Sequence, residues 1–142
     1  MTTRSARLAL VVSWALFGLV AMGSACDKPQ EGKAERGRLE GTWEHTFENA
    51  PQHRQVKIVN QTHFVWVTYV REDGTPLLLG GGTYTYDGKT YRENCEFGGP
   101  GLPVELVGKE QSFTAELEGD KWTHSGTLSN GLRVREIWRK VK

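Results

Sequence analysis

The sequence predicts an all-β domain, an eight-stranded antiparallel up-and-down barrel, behind a cleavable export leader. Three observations carry that expectation. Beyond residue 38 the chain divides into short segments in which apolar and polar residues alternate, the period of half-buried strands. Turn-forming residues, Asp73-Gly74, Asp87-Gly88, Gly119-Asp120 and Ser129-Asn130-Gly131, fall between those segments. Helix-forming runs of Ala, Leu, Glu and Lys are absent after the leader, whereas Gly and the tryptophans Trp43, Trp66, Trp122 and Trp138 stand out, which favours strands over helices. A two-sheet β-sandwich is the alternative architecture.

The first residues have the three parts of an export leader. Arg4 and Arg7 make a basic start, an apolar run extends from Leu8 to Met22, and small residues Gly23, Ser24 and Ala25 precede Cys26. The run is short for a membrane span and charge follows it promptly. Small-small-Cys resembles a lipoprotein processing box, in which the cysteine sulfur receives a diacylglycerol before cleavage, although Gly23 stands where that box usually has Leu. The resemblance implies a signal peptide over 1–25 and a lipidated Cys26 that holds the mature protein on a membrane of the cell envelope. An ordinary signal peptidase would cut the same bond and leave a secreted or periplasmic soluble form. Cys95 is the only other cysteine; it stays unpaired if Cys26 is acylated, and a 26–95 disulfide is open if it is not. Its place in an alternating stretch makes it a small buried side chain.

Residues 26–38 hold the lipidated Cys and then a polar segment, DKPQEGKAERGR, with no aliphatic larger than Ala34, which predicts a flexible tether. Residues 39–142 form the barrel domain, and a chain of 142 residues has no room for a second core. Of 18 basic residues Arg4 and Arg7 leave with the leader, so the mature chain is close to balance against 17 acidic ones. That balance offers no footprint for nucleic acid and no polybasic membrane patch. The partners left are a small-molecule ligand, or another envelope protein, chosen by shape and local chemistry.

The expected strands are 39–47, 53–59, 62–70, 76–86, 89–97, 111–118, 121–128 and 132–141, with one long Gly- and Pro-rich loop at 98–110. Six alternate cleanly enough to name an inner face. Strand one buries Leu39, Gly41, Trp43, His45 and Phe47, and strand four Gly80, Gly82, Tyr84 and Tyr86. Strand five buries Tyr91, Glu93, Cys95 and Phe97, strand six Phe113, Ala115 and Leu117, strand seven Trp122, His124 and Gly126, and strand eight Leu132, Val134, Glu136 and Trp138. Strands two and three are apolar on both faces or weakly patterned, and their inner faces stay open.

Hairpin parity tests these assignments, because inward residues must oppose inward residues. A two-residue Asp87-Gly88 loop sets Tyr84 against Tyr91 and Gly82 against Glu93. Gly119-Asp120 sets Leu117 against Trp122 and Ala115 against His124. A three-residue loop at Ser129-Asn130-Gly131 sets His124 against Glu136 and Trp122 against Trp138.

Gly41-Thr42-Trp43 on the first strand resembles the glycine-x-tryptophan signature that opens lipocalins. Thr62-His63-Phe64-Val65-Trp66-Val67, the GGGTYTY segment from Gly80 to Tyr86, and Glu136-Ile137-Trp138-Arg139 are similar to a group of small bacterial lipocalin-like proteins. The resemblance covers nearly the whole mature domain and implies the barrel fold, with no established activity. It would also have Arg139 stack on the Trp43 ring, as a late arginine does in lipocalins, although parity points Arg139 outward.

Four ionisable groups fall on inner faces: His45, Glu93, His124 and Glu136. A buried carboxylate needs a partner, and His124 is the obvious one for Glu136. The reading that follows is a lumen that binds a small apolar or amphipathic ligand, lined by Trp43, His45, Trp66, Tyr84, Tyr91, Glu93, Trp122, His124, Glu136 and Trp138. The alternative is a structural or interaction module of the envelope whose barrel is filled by those same side chains. No close-spaced ligand motif supports a metal, and no nucleophile motif, phosphate loop or cofactor fingerprint accompanies the inner His and Glu, so neither catalytic residues nor a cofactor are expected.

Overall fold

Each alternating segment becomes a strand, and the last strand pairs back to the first. In the computed structural model, which describes residues 29–142, a helix α1 (Pro29–Leu39) precedes β1 (Gly41–Thr46), β2 (His53–Val59), β3 (His63–Val70), β4 (Pro76–Tyr86), β5 (Thr90–Gly98), β6 (Glu110–Glu118), β7 (Lys121–Thr127) and β8 (Arg133–Lys140). These strands follow chain order around a closed antiparallel barrel. Closure removes the exposed edges that a flat sheet of this length would carry. The expected signal peptide and Cys26 lie outside the described residues.

Helix α1 occupies ground read as a flexible tether. Its last residue, Leu39, was assigned to the first strand; it is fully buried at one end of the barrel, and its carbonyl accepts the Trp43 indole N–H at 2.8 Å. The Tyr84 hydroxyl donates to the Asn60 carbonyl at 2.7 Å and to that of Arg36 at 3.4 Å, tying the helix to the β2–β3 turn. One apolar anchor and these backbone contacts, rather than an amphipathic stripe, hold the helix against this end. At the same end Gly41 leaves room for Lys140, whose Cε would lie 2.9 Å from a β-carbon there, and the Lys140 ammonium sits 5.2 Å from the Trp43 ring centre. Lys140 therefore takes the place over Trp43 considered for Arg139, which is exposed as its parity requires.

Two of the three hairpins hold the register that parity demands. Leu117 faces Trp122 and Ala115 faces His124, and across β7 and β8 His124 faces Glu136 and Trp122 faces Trp138. The third is displaced by two residues. Tyr86 faces Tyr91, Tyr84 faces Glu93 and Gly82 faces Cys95, because the Asp87 carboxylate accepts the N–H groups of Lys89 and Thr90 and moves the two-residue loop on to Gly88-Lys89. A shift of two keeps every side chain on its expected face.

Further along the same pair, Gly81 faces Phe97 while Gly82 faces Cys95, so Glu96 is an extra residue in a bulge. The bulge turns Phe97 outward, where it is 49% exposed instead of inside. Leu132, also expected inside, lies ahead of β8 in its hairpin and is exposed at the rim.

The inner faces left open resolve as Gln55, Lys57 and Val59 on β2 and Phe64, Trp66 and Thr68 on β3. The α1 end is packed solid around Leu39, Trp43, Phe64, Tyr84, Tyr86, Tyr91, Trp122 and Trp138, with Trp43 edge-on to Trp122 at 5.5 Å. The other end is ringed by the loops 47–52, 71–75, 99–109 and 128–132.

The bulge makes Gly82 sterically demanding. A β-carbon there would collide with the Asn94 carbonyl and lie 2.7 Å from the Glu96 nitrogen, whereas at Gly80 the nearest atom is the Trp66 ring at 3.2 Å. Gly82→Ala should cost about 1–3 kcal/mol in denaturant unfolding, and Gly80→Ala distinctly less. Equal costs would mean that Gly82 does not carry the bulge.

Candidate functional site

Lys57 lies at the centre of the barrel. The β1–β2 register sets it opposite the inward Trp43, so its side chain must point into the lumen. The residue is 2% exposed, and its ammonium lies 2.7 Å from Glu93 Oε1. The rings of Trp138, Trp122, Tyr91 and Phe64 surround Nζ with centres 4.7, 5.1, 5.5 and 5.6 Å away. An ammonium out of water needs both a counter-charge and polarisable surroundings, and these four faces with Glu93 provide them. The Tyr91 hydroxyl donates to the same Glu93 oxygen at 2.8 Å. Burial, reinforced by the negative charge of Glu93, pushes the Tyr91 phenol well above its ordinary range, so it stays a donor.

The second ion pair lies on β7 and β8. His124 Nε2 is 2.7 Å from Glu136 Oε2, and the Trp138 indole donates to that same oxygen at 3.1 Å. The imidazole stacks on Phe113 at 4.6 Å and runs nearly parallel to Tyr91 at 5.7 Å, which fixes its plane. Burial alone would push the Glu136 carboxyl up. The hydrogen bond from His124 and the charges of His124, Lys57 and His45 together outweigh it and bring the group down to about 2.

Each carboxylate thus places one oxygen on two donors. Glu93 Oε2 and Glu136 Oε1 have no protein hydrogen-bond partner among the described residues. Three buried atoms, Gln55 Oε1, Thr68 Oγ1 and His124 Nδ1, are also without one. All five belong to residues that line a cavity of about 330 Å³ at the end of the barrel opposite α1. Its walls are apolar: Trp66, Leu78, Leu102, Phe113, Leu128 and Val134, with Phe47, Pro103 and Leu132 at the rim. The structure therefore presents a cup with a charged floor and greasy sides. Among the described residues no group of three His, Cys, Asp or Glu is placed to hold a metal ion.

Of the residues expected in the lumen, Trp66, Glu93, His124 and Glu136 line this cavity. Trp43, Tyr84, Tyr91, Trp122 and Trp138 are packed beneath it as core. His45 stands at the β1–β8 seam, where ladder pairing stops after Glu44↔Arg139; its Nδ1 lies 2.9 Å from the Ile137 carbonyl and its ring meets Phe47 at 4.7 Å. Cys95 is a buried free thiol whose Sγ–H points to the Phe97 carbonyl at 3.3 Å.

No protein-family model and no curated protein matches the chain. What the cup can do follows from its own atoms.

Lys57, Gln55 and Thr68 are the site residues that sequence reasoning missed, because β2 and β3 carry Val56, Ile58, Val65 and Val67 on the outer face and so hide their alternation. One signal did bear on Lys57. Glu93, alone on its wall, required a buried cation, and Lys57, like Arg133, is a basic residue flanked on both sides by aliphatics.

The depressed Glu136 carboxyl couples to folding. Its folded value of about 2 lies below the ordinary 4.5, so the pairing stabilises the barrel above that unfolded value and is lost as pH falls through the folded one. Acid unfolding followed by tryptophan fluorescence should show wild-type stability falling between these limits, and Glu136→Gln should flatten that fall. At neutral pH Glu136→Leu should be less stable than Glu136→Gln by about 1 kcal/mol or more, since only the amide still meets His124. Identical acid profiles for wild type and Glu136→Gln would remove the pair from the account.

Proposed function

We propose that this protein is a binding module of the cell envelope, holding one small amphipathic molecule in the open end of its barrel and kept at the membrane by an acyl chain on Cys26. The observation that carries the reading is the cup itself. An eight-stranded barrel is either filled by side chains or able to hold one small ligand, and this one is filled at the α1 end and hollow at the other. A cavity of about 330 Å³ is at the small end of ligand pockets. Buried polar atoms without partners cost free energy in an empty cup, and a ligand that meets them recovers it.

Binding is favoured over catalysis because both carboxylates are committed to ion pairs and the His124 ring is clamped by aromatic neighbours. Only Asp27 and Lys28 separate Cys26 from α1, so in the anchored form the packed end lies toward the membrane and the mouth away from it. A second reading, a protein-interaction module, has its own support. Ile58, Val65 and Phe97 are 53%, 40% and 49% exposed around a shallow outer groove that also includes Phe64 and Gly82.

Native mass spectrometry of the full-length protein extracted from its own membrane tests both parts. The expected spectrum shows the mass of a lipidated Cys26 and a retained small molecule that leaves on activation. An unmodified chain beginning at Cys26 would overturn the anchor. A ligand-free protein that retains a protein partner would favour the second reading.

A further inference from the structure

The unspent hydrogen-bonding capacity of the cavity floor is mostly of one kind. Glu93 Oε2, Glu136 Oε1 and Gln55 Oε1 are acceptors without a donor, and Thr68 Oγ1 takes either role. His124 Nδ1 is also without a partner and takes the role that the ring's proton positions give it.

The engagement of Lys57 points the same way. Among the described residues Lys57 is the only lysine or arginine lining the cavity, and its ammonium is already engaged by Glu93 and four aromatic rings. Each of the two carboxylates still has one oxygen without a donor. An anionic head group would have to displace Glu93 from Lys57 and then lie against both carboxylates. A hydroxyl offers one donor, whereas a primary ammonium offers three and a positive charge. The apolar walls of Trp66, Leu102, Phe113 and Val134 would shield that contact from water and strengthen it.

We infer that the molecule held in the cup is a small amphipathic amine, entering ammonium first against the free oxygens of Glu93 and Glu136 with its apolar body along the walls toward the mouth. The inference rests on the binding reading above and names the chemical class of its ligand.

Three probes of matched length and different head group separate the two claims. Heptylamine, heptanoate and heptanol are titrated calorimetrically into the full-length protein in detergent at about pH 8, where the amine is cationic and the acid anionic. Heptylamine is expected to bind about tenfold or more tightly than either of the others, the scale of hydrogen bonds to charged groups. Glu136→Gln should remove most of that preference. Should that variant fail to fold, the wild-type ranking decides alone. Heptanoate binding as well as or better than heptylamine would overturn the inference and make Lys57 an anion anchor. Equal binding of all three would overturn the amine while leaving a binding cup, and binding of none would take the cup reading down with it.

Discussion

The Lys57–Glu93 ion pair is the constraint around which this barrel is organised. An ammonium at 2.7 Å from a carboxylate in the middle of a protein has left water at a cost of several kcal/mol, and only close counter-charge and well-placed polarisable groups make it tolerable. The interior answers that requirement strand by strand. Phe64 from β3, Tyr91 from β5, Trp122 from β7 and Trp138 from β8 turn their faces to the ammonium, and Tyr91 adds a hydroxyl to the carboxylate. Four aromatic rings drawn to one point leave little free volume toward α1, so the barrel is solid on that side of the pair and hollow on the other.

The second pair repeats the device with a different outcome. Glu136 takes His124 and the Trp138 indole on one oxygen, as Glu93 takes Lys57 and Tyr91. Trp138 belongs to both arrangements, since its face meets Lys57 and its N–H meets Glu136. The two carboxylates are thereby locked in place with their remaining oxygens unpartnered beneath an apolar wall. Such a floor combines rigidity with unmet demand for donors, and that combination is what a preorganised binding site needs.

Much of this was legible in the sequence wherever the two faces of a strand differ in chemistry. On β6, β7 and β8 charged or hydroxyl residues mostly alternate with apolar or aromatic ones, and the turns Gly119-Asp120 and Ser129-Asn130-Gly131 leave one register, so the His124–Glu136 pairing was deducible from the sequence. Where a side chain intervenes in the backbone, the pattern is silent. The Asp87 carboxylate displaces the β4–β5 register by two residues, and the bulge at Glu96 turns Phe97 outward, yet neither alters composition or spacing. Lys57 escaped because its strand is greasy on the side facing solvent: Ile58 is 53% exposed while the lysine next to it is buried, the reverse of the usual rule. Helix α1 escaped because it has no apolar stripe and docks through Leu39 and backbone carbonyls.

The central claim is energetic, that Lys57 and Glu93 sense one another directly in the folded state. A double-mutant cycle with Lys57→Met, Glu93→Gln and the combined variant, read by denaturant unfolding, measures it without depending on any ligand. The account predicts a coupling free energy above about 1 kcal/mol, with each single variant losing more stability than the double variant requires if the sites were independent. A coupling indistinguishable from zero, with both single variants as stable as wild type, would contradict it.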